Sequence, residues 1–331
     1  MKTLISKSNP VNSVPEGAVR TSRFLTSAFW SGVTWSFIRA VLVIGIAFII
    51  LYPLIIKLSS SIMAESDLFD LTVKWIPRRL DMRSILRNYR DVYEEMNYLV
   101  SFRNSVTLAF LVSSLQLASC TFIGYGFARF KFPGSGFLFG MVILTLLVPP
   151  QMIMVPLFLN FRFFDFFGIA GWFGREPINL LGTYWPFVLT SATGMGLKNG
   201  LFIYIMRQFF KGMPKDLEEA ALVDGAGQIR TFFTIMLPGA APAILIVFLF
   251  SFVWQWNDIF LTSMYMRRSA TLLPFMLERL TSSFGGYQYS DEYISVIRNT
   301  GMLMFIVPLL FVYGFLQRYF IESVERTGIV G

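Results

Sequence analysis

The chain of 331 residues is 55% hydrophobic, only 15% charged and has a mean hydropathy of +0.59, too apolar for a soluble domain, in which about a quarter of residues are charged. It has no His and one Cys, Cys120, so a disulfide framework, a Cys/His zinc site and histidine acid–base catalysis lack their raw material. The net charge of +8 is not gathered into a basic stripe interleaved with aromatics, so it reads as membrane-surface charge and not as a nucleic-acid footprint.

Residues 1–37 carry Lys2, Lys7, Arg20 and Arg23 among Ser, Asn, Pro and Gly, with little to bury, and read as a loosely ordered arm. The remainder, 38–331, reads as one transmembrane domain. Its first charge-free run, 40–56, lies between Arg39 and Lys57 and is long enough to cross if those side chains snorkel. A signal peptide is the alternative, but the long arm before the run and the absence of a small-residue cleavage site after it argue against one. The segment 57–103 then mixes Arg78, Arg79, Asp81, Arg87, Arg90, Asp91, Glu94 and Glu95 with Trp75, Tyr89, Tyr93 and Tyr98. Mixed charge with aromatics can form a partner surface, although a solvated loop is the commoner outcome.

Charge-free runs recur at 104–128, 132–161, 177–197, 231–257 and 299–317, each long enough for a helix through a hydrocarbon core of about 30 Å. With the first run this predicts six spans, all α-helical, because the runs are continuous and lack the ten-residue alternation of a barrel. Cys120 falls inside an apolar run and reads as a small core residue. Helix breakers cluster within these runs: Pro149, Pro150 and Pro156 in the third, Gly194, Gly196 and Gly200 in the fourth, Pro238 and Pro242 at the foot of the fifth, Pro308 in the sixth. Breaks at membrane depth need protein or water over the freed backbone, which points to a bundle enclosing a path; kinked packing helices explain any one proline equally well. Lys and Arg divide nearly evenly between the two sides, so charge bias leaves the orientation open.

The longest polar interruption of the second half runs from 214 to 242. Pro214 suits a first helical position, Asp216, Glu218 and Glu219 place negative charge at the positive end of the helix dipole, and Gly225 supplies a left-handed stop. This predicts a short helix of about 16 Å with a small-residue face at Ala220 and Ala221, then the foot of a span. Such a helix is either a docking element or a solvated connector.

The spacing Glu219-Ala220-Ala221, three residues, Gly225, nine residues, Ile235, one residue, Leu237-Pro238 resembles, without departure, the EAA signature of permease subunits of ATP-binding-cassette importers. Further segments are similar to the carbohydrate-uptake, maltose-importer-like branch: Asn104-Ser105, YGFARFKF from Tyr125 to Phe132 followed by Pro133-Gly134, the stretch 149–156, Arg207-Gln208-Phe209-Phe210, Trp256-Asn257-Asp258, and 317–320. Together they cover about 40–320; the long arm, the aromatic-rich 161–182 and the tail ESVERTGIVG depart from the pattern.

The resemblance implies a type I importer permease fold with six transmembrane helices and a cytoplasmic coupling helix within 214–238. It implies that Glu218, Glu219, Ala220, Ala221, Asp224, Gly225, Ile235, Leu237 and Pro238 couple the membrane body to an ATPase. It also implies a second related permease, two cytoplasmic ATPase subunits that hold ATP and Mg, and an extracellular solute-binding protein that delivers an oligosaccharide. An ATPase partner must be cytoplasmic, which puts both termini on that side of a bacterial plasma membrane. The chain has no G-x-x-x-x-G-K-[ST] loop, so no cofactor is expected on it and no ATPase activity of its own.

Candidates for the substrate path are Lys198, Asn199, Trp254, Trp256, Asn257 and Asp258. Lys198 interrupts an otherwise charge-free stretch and reads as lying within the fourth span, while Trp254, Asn257 and Asp258 share one face of the fifth. Pairing of Lys198 with backbone carbonyls, and tryptophans serving as interfacial anchors, are the alternative readings. The rival class is an intramembrane enzyme such as a lipid-linked glycosyltransferase. It is poorly equipped, since Asp258 is the lone carboxylate near a span interior and no His is available.

Overall fold

A computed structural model describes residues 27–63, 67, 77, 80–165, 176–196, 198–266, 270–284 and 290–328, and divides the chain into two compact units, Met1–Ile56 and Lys57–Gly331. In the first unit the described residues belong to helix α1 (Ser27–Ser61), whose last turn is counted with the second. Side chains from Trp30 to Pro53 are all exposed, and from Ala40 onward they form an uncharged, mainly apolar surface suited to lipid.

The regular elements of the second unit's described residues are all helices, apart from one bridge between Phe164 and Ile178. It opens on α2 (Met82–Glu95), started by Asp81, whose carboxylate accepts hydrogen bonds from Ser84 Oγ at 2.7 Å and Arg83 N at 3.1 Å. Those bonds, Ser84's first, lower the Asp81 pKa below the usual carboxylate value. The solvated-loop reading of 57–103 is thereby corrected for its second half. Asn88, Val92 and Met96 recur every four residues, and that spacing turns one face of the helix into the core.

Helix α3 (Tyr98–Arg129) is the axis of the unit; its 32 residues span about 48 Å. Around it lie α4 (Ser135–Leu147), α5 (Pro150–Arg162), α6 (Trp185–Ala192), α7 (Asn199–Gly212), α8 (Asp216–Val223) and α9 (Gln228–Thr231). A π-helical turn at Phe232–Met236 and α10 (Leu237–Gly239) lead into α11 (Ala241–Asn257), then α12 (Phe260–Tyr265), α13 (Leu273–Phe284) and α14 (Asp291–Gly328). Two apolar clusters form along α3. One gathers Val92, Leu108, Val112, Trp256, Tyr265, Leu273 and Ile297, the other Cys120, Tyr125, Phe202, Met206, Phe210, Phe232 and Val247. Between them the helix presents a polar layer, where Ser251 Oγ bonds Gln116 and Ser119 Oγ donates to the Ser191 carbonyl at 2.6 Å.

Small residues let the helices close on one another. A Cβ at Gly124 would lie 2.6 Å from Met206 Cβ and 3.0 Å from Arg207 N, and one at Gly301 would lie 2.6 Å from Leu280 Cδ2. In lipid, where apolar side chains gain nothing by leaving the solvent, such close approach is what holds helices together.

Three helical segments among the described residues are long and apolar enough to cross a bilayer alone: Trp30–Ser61, Tyr98–Arg129 and Asp291–Tyr319. Two bent pairs raise the number to five: Ser135–Leu147 with Pro150–Arg162 at 102°, and Gln228–Gly239 with Ala241–Asn257 at 74°. The helix breakers read in the third run act at Pro149-Pro150: Val148 and Pro149 are extended and Pro150 restarts the helix. The expected fourth span, 177–197, is corrected. Among its described residues only the middle is helical, as the eight-residue α6, and helix resumes at Asn199.

Candidate coupling site and substrate path

The helix predicted from Pro214 is α8. It begins with Asp216, Glu218 and Glu219 in its first turn, where the dipole favours carboxylates. It ends on Gly225 with φ +78, as the sequence foretold. Gly225 N bonds the Leu222 carbonyl at 3.0 Å and Ala226 N the Ala221 carbonyl at 2.9 Å, the paired bonds of a Schellman stop. A Cβ at Gly225 would meet nothing within 4 Å, so its requirement for glycine is conformational and not steric.

The two faces of α8 differ. Ala221 is buried, while Glu219, Ala220 and Asp224 are exposed beside Val223 at 87% and Ile229 at 76% exposure. Glu218 turns inward and meets the end of α3. Its Oε1 lies 3.3 Å from Arg129 Nε and accepts a hydrogen bond from Tyr125 OH at 3.1 Å. The Arg129 side chain is 6% exposed and that of Glu218 18%, so the pair is shielded from screening by water. Arg129 Nη2 also donates to the Met213 carbonyl at 2.8 Å, the residue that ends α7. Tyr125 and Arg129 were not among the predicted coupling residues. Their signal was available: they lie four apart in YGFAR, on one helical face, and Arg129 closes a charge-free run. Beyond α8, Ile235 is half-buried in the π-helical turn, Leu237 packs on the second cluster and Pro238 is exposed.

The path candidates fall into two groups. Lys198 sits at the break between α6 and α7 with φ +67, outside either helix. Its ammonium lies 3.6 Å from the ring centroid of Trp254, which stacks on Phe202 at 5.5 Å and Phe250 at 5.8 Å. Asn199 follows, 1% exposed, and both its side-chain amide atoms lack a partner among the described residues. The expected common face of Trp254, Asn257 and Asp258 is corrected, because α11 ends at Asn257. Asn257 Nδ2 returns to its own helix at the Val253 carbonyl, 2.7 Å away. Asp258 instead caps α12, accepting from Leu261 N at 3.2 Å and from Thr262 N and Oγ1 at 2.8 and 2.9 Å. Trp256 is buried in the first cluster.

Residues 121–326 match the family model described as "Binding-protein-dependent transport system inner membrane component". The chain belongs to this family. It is 32% identical over 285 residues to an osmoprotective compounds uptake permease protein of Synechocystis sp., a match covering 85% of this chain and 88% of that protein. An arabinooligosaccharides transport system permease protein of Halalkalibacterium halodurans is 28% identical over 86% of this chain and 93% of its own. In fold, the chain is similar to a chain in the crystal structure of a bacterial ABC transporter involved in the import of the acidic polysaccharide alginate. That likeness has a TM-score of 0.68 at 21% identity and covers 88% of this chain and 98% of the other. The family's members are membrane transport components, which agrees with the helices found here.

Arg129→Met leaves the Glu218 carboxylate facing Tyr125 without its cation, a loss of about 3 kcal/mol for a shielded pair broken on one side. Thermal unfolding of the assembled complex should show that loss, and Arg129→Met with Glu218→Leu should regain part of it. An Arg129→Met complex as stable as wild type would mean the pair carries no stability.

Proposed function

We propose that this chain is a transmembrane permease subunit of an ATP-driven ABC importer that takes up a carbohydrate, by class an oligosaccharide, through alternating access. The observation that carries the proposal is α8: a short helix with an exposed apolar and acidic outer face, stopped by Gly225 and tied by Glu218 to the end of a helix that runs the length of the bundle. A surface of that kind can receive force from a partner and deliver it to the membrane body. In this reading the partners are a second related permease, two cytoplasmic ATPase subunits holding ATP and Mg, and an extracellular solute-binding protein. The two bent pairs and the broken α6–α7 segment then serve as the remaining crossings of a six-span type I fold, with both termini cytoplasmic. The carbohydrate assignment rests on the similarity to the Halalkalibacterium protein and on the sequence segments shared with sugar permeases. The enzyme alternative weakens further, since Asp258 is engaged in capping α12.

Within the proposed path, Lys198, Asn199 and Trp254 are the best-placed residues. An aromatic face covers the apolar side of a sugar ring, and an ammonium and an amide satisfy hydroxyls. They stand at a break between two helices, the kind of place where transporters expose backbone to a cavity.

Three outcomes are expected. Gly225→Val forces a β-branched residue into left-handed backbone, a cost of about 1–2 kcal/mol paid only where α8 turns; membrane levels should stay normal while sugar-stimulated ATPase activity of the complex is lost. Gly225→Asn should keep part of it, because Asn tolerates that backbone; normal stimulation in the Val variant would remove the coupling assignment. A cysteine at position 81, an exposed helix start, should react with an impermeant maleimide added outside intact cells, the native Cys120 being buried. Reaction only after the membrane is opened would invert the topology. Lys198→Met should reduce uptake in complexes assembled to the wild-type level, and unchanged uptake with unchanged sugar preference would return Lys198 to a packing role.

A further inference from the structure

Trp256 is 2% exposed, and its indole is clasped by Phe102, Phe252 and Phe305 at centroid distances of 6.1, 5.9 and 5.8 Å. Three aromatic neighbours fix the ring, so the direction of its Nε1–H is set by packing. That N–H has no acceptor among the described residues. A buried donor left unpaired costs about 1–3 kcal/mol, and buried indoles ordinarily find a partner.

The same residue lines a small cavity, whose other polar walls are Ser105 of α3, Gln255 of α11, Asp258, and Thr262 of α12. It offers about 10 Å³ to the centre of a water-sized sphere, close to the volume that holds one water and too small for an organic ligand. The chemistry of the wall narrows the occupant. Indole N–H can only donate, and an ionised carboxylate can only accept. A cation would face the indole hydrogen, and an anion would face Asp258. Asp258 Oδ1 accepts one bond from the protein, Leu261 N, which leaves it a lone pair for another donor. Ser105 Oγ accepts from Leu273 N at 2.9 Å, and its own proton remains to be directed. Gln255 Nε2 reaches Thr262 Oγ1 at 3.4 Å.

We propose that this cavity is a binding site for a single water, which accepts from Trp256 Nε1 and donates to Asp258. The water fastens α3, α11, α12 and the start of α13 at one point. Ser105 brings α3 and, through Leu273 N, the first residue of α13; Gln255 and Trp256 bring α11; Asp258 and Thr262 bring α12. The site lies at the end of α11 away from α8, about 25 Å along its 17 residues, and fixes the direction in which the chain leaves that helix. The Trp256-Asn257-Asp258 motif, read from sequence as part of a sugar path, thereby holds a structural junction. This inference does not depend on the identity of the transported molecule.

The test is a double-mutant cycle on thermal unfolding of the complete transport complex, using Trp256→Phe, Asp258→Asn and the two together. Each single substitution should lower the midpoint by about 2–4 °C. The double variant should fall by less than their sum, because each breaks the same bridge. The α12 capping that Asp258→Asn also weakens is present beside either Trp or Phe and cancels in the cycle. Additive shifts, or a Trp256→Phe complex at least as stable as wild type, would show an indole that never had a partner and would overturn the proposal. Should either variant fail to assemble, a density map of the wild-type complex that resolves ordered solvent decides the matter. A solvent peak within hydrogen-bond distance of both Trp256 Nε1 and an Asp258 oxygen supports it, and no peak there overturns it.

Discussion

The contact on which the rest of the architecture depends is the one between Arg129 and Glu218. Shielding two charges from water is expensive, and their mutual attraction offsets that cost only when the remaining donors and acceptors are also satisfied. Here they are met in part: Arg129 Nη2 donates to the Met213 carbonyl and Glu218 accepts from Tyr125 OH, while Arg129 Nε faces the carboxylate at 3.3 Å as an ion pair without a hydrogen bond. One guanidinium therefore holds the end of α7, the first turn of α8 and the end of α3 in a fixed relation. A displacement of α8 would therefore strain its contacts with the ends of α3 and α7.

What α3 passes on depends on its packing. Beside Leu108, Val112, Gln116, Thr121 and Tyr125, its buried face carries Ser101, Ser105, Ala109, Ser113, Ser119, Cys120 and Gly124, residues small enough for α6, α7 and α11 to approach closely. The price of that closeness is a thin apolar interface at mid-length, and the polar layer of Gln116 and Ser119 supplies the specificity that bulk cannot. Hydrogen bonds between helices in lipid contribute on the order of 1 kcal/mol each, modest in energy but directional. They set the register of α3 against Ser251 on α11 and Ser191 on α6.

Legibility in the sequence followed the range of the interaction concerned. The stop at Gly225 was readable because it depends on a single residue's freedom to adopt positive φ, and the acidic first turn of α8 because it depends on the local dipole. The apolar runs were readable as membrane helices, but run length could not say whether a helix passes straight through. Pro149-Pro150 gave warning of the 102° fold; the end of α6 came from Gly194 in a chain position that composition does not distinguish from a packing glycine. Trp254, Asn257 and Asp258 would share a face only on a helix continuing past 257, and α11 ends there. Asp258 instead begins the next element, a competition between helix extension and capping that short polar side chains often win. Arg129 and Glu218 are 89 positions apart, and a pair so distant can be read from one sequence only through the motif that contains one of them.

The break between α6 and α7 shows how such a fold keeps discontinuous helix inside its interior. A helix end frees carbonyls that hydrocarbon cannot satisfy. Met195 N bonds the Thr190 carbonyl at 2.9 Å and Gly194 N the Ser191 carbonyl at 3.4 Å, closing α6 with the same stop that closes α8. The Ser191 carbonyl accepts from Ser119 Oγ as well, and Cys120 Sγ lies 3.7 Å from the Asn199 carbonyl. Neighbouring residues of α3 thus cover the backbone on both sides of the break, which explains why small hydroxyl and thiol side chains, and not leucines, occupy 119 and 120. On its other side the break carries Lys198 in left-handed backbone over Trp254, a geometry that costs a non-glycine residue about 1–3 kcal/mol and persists where surrounding contacts enforce it.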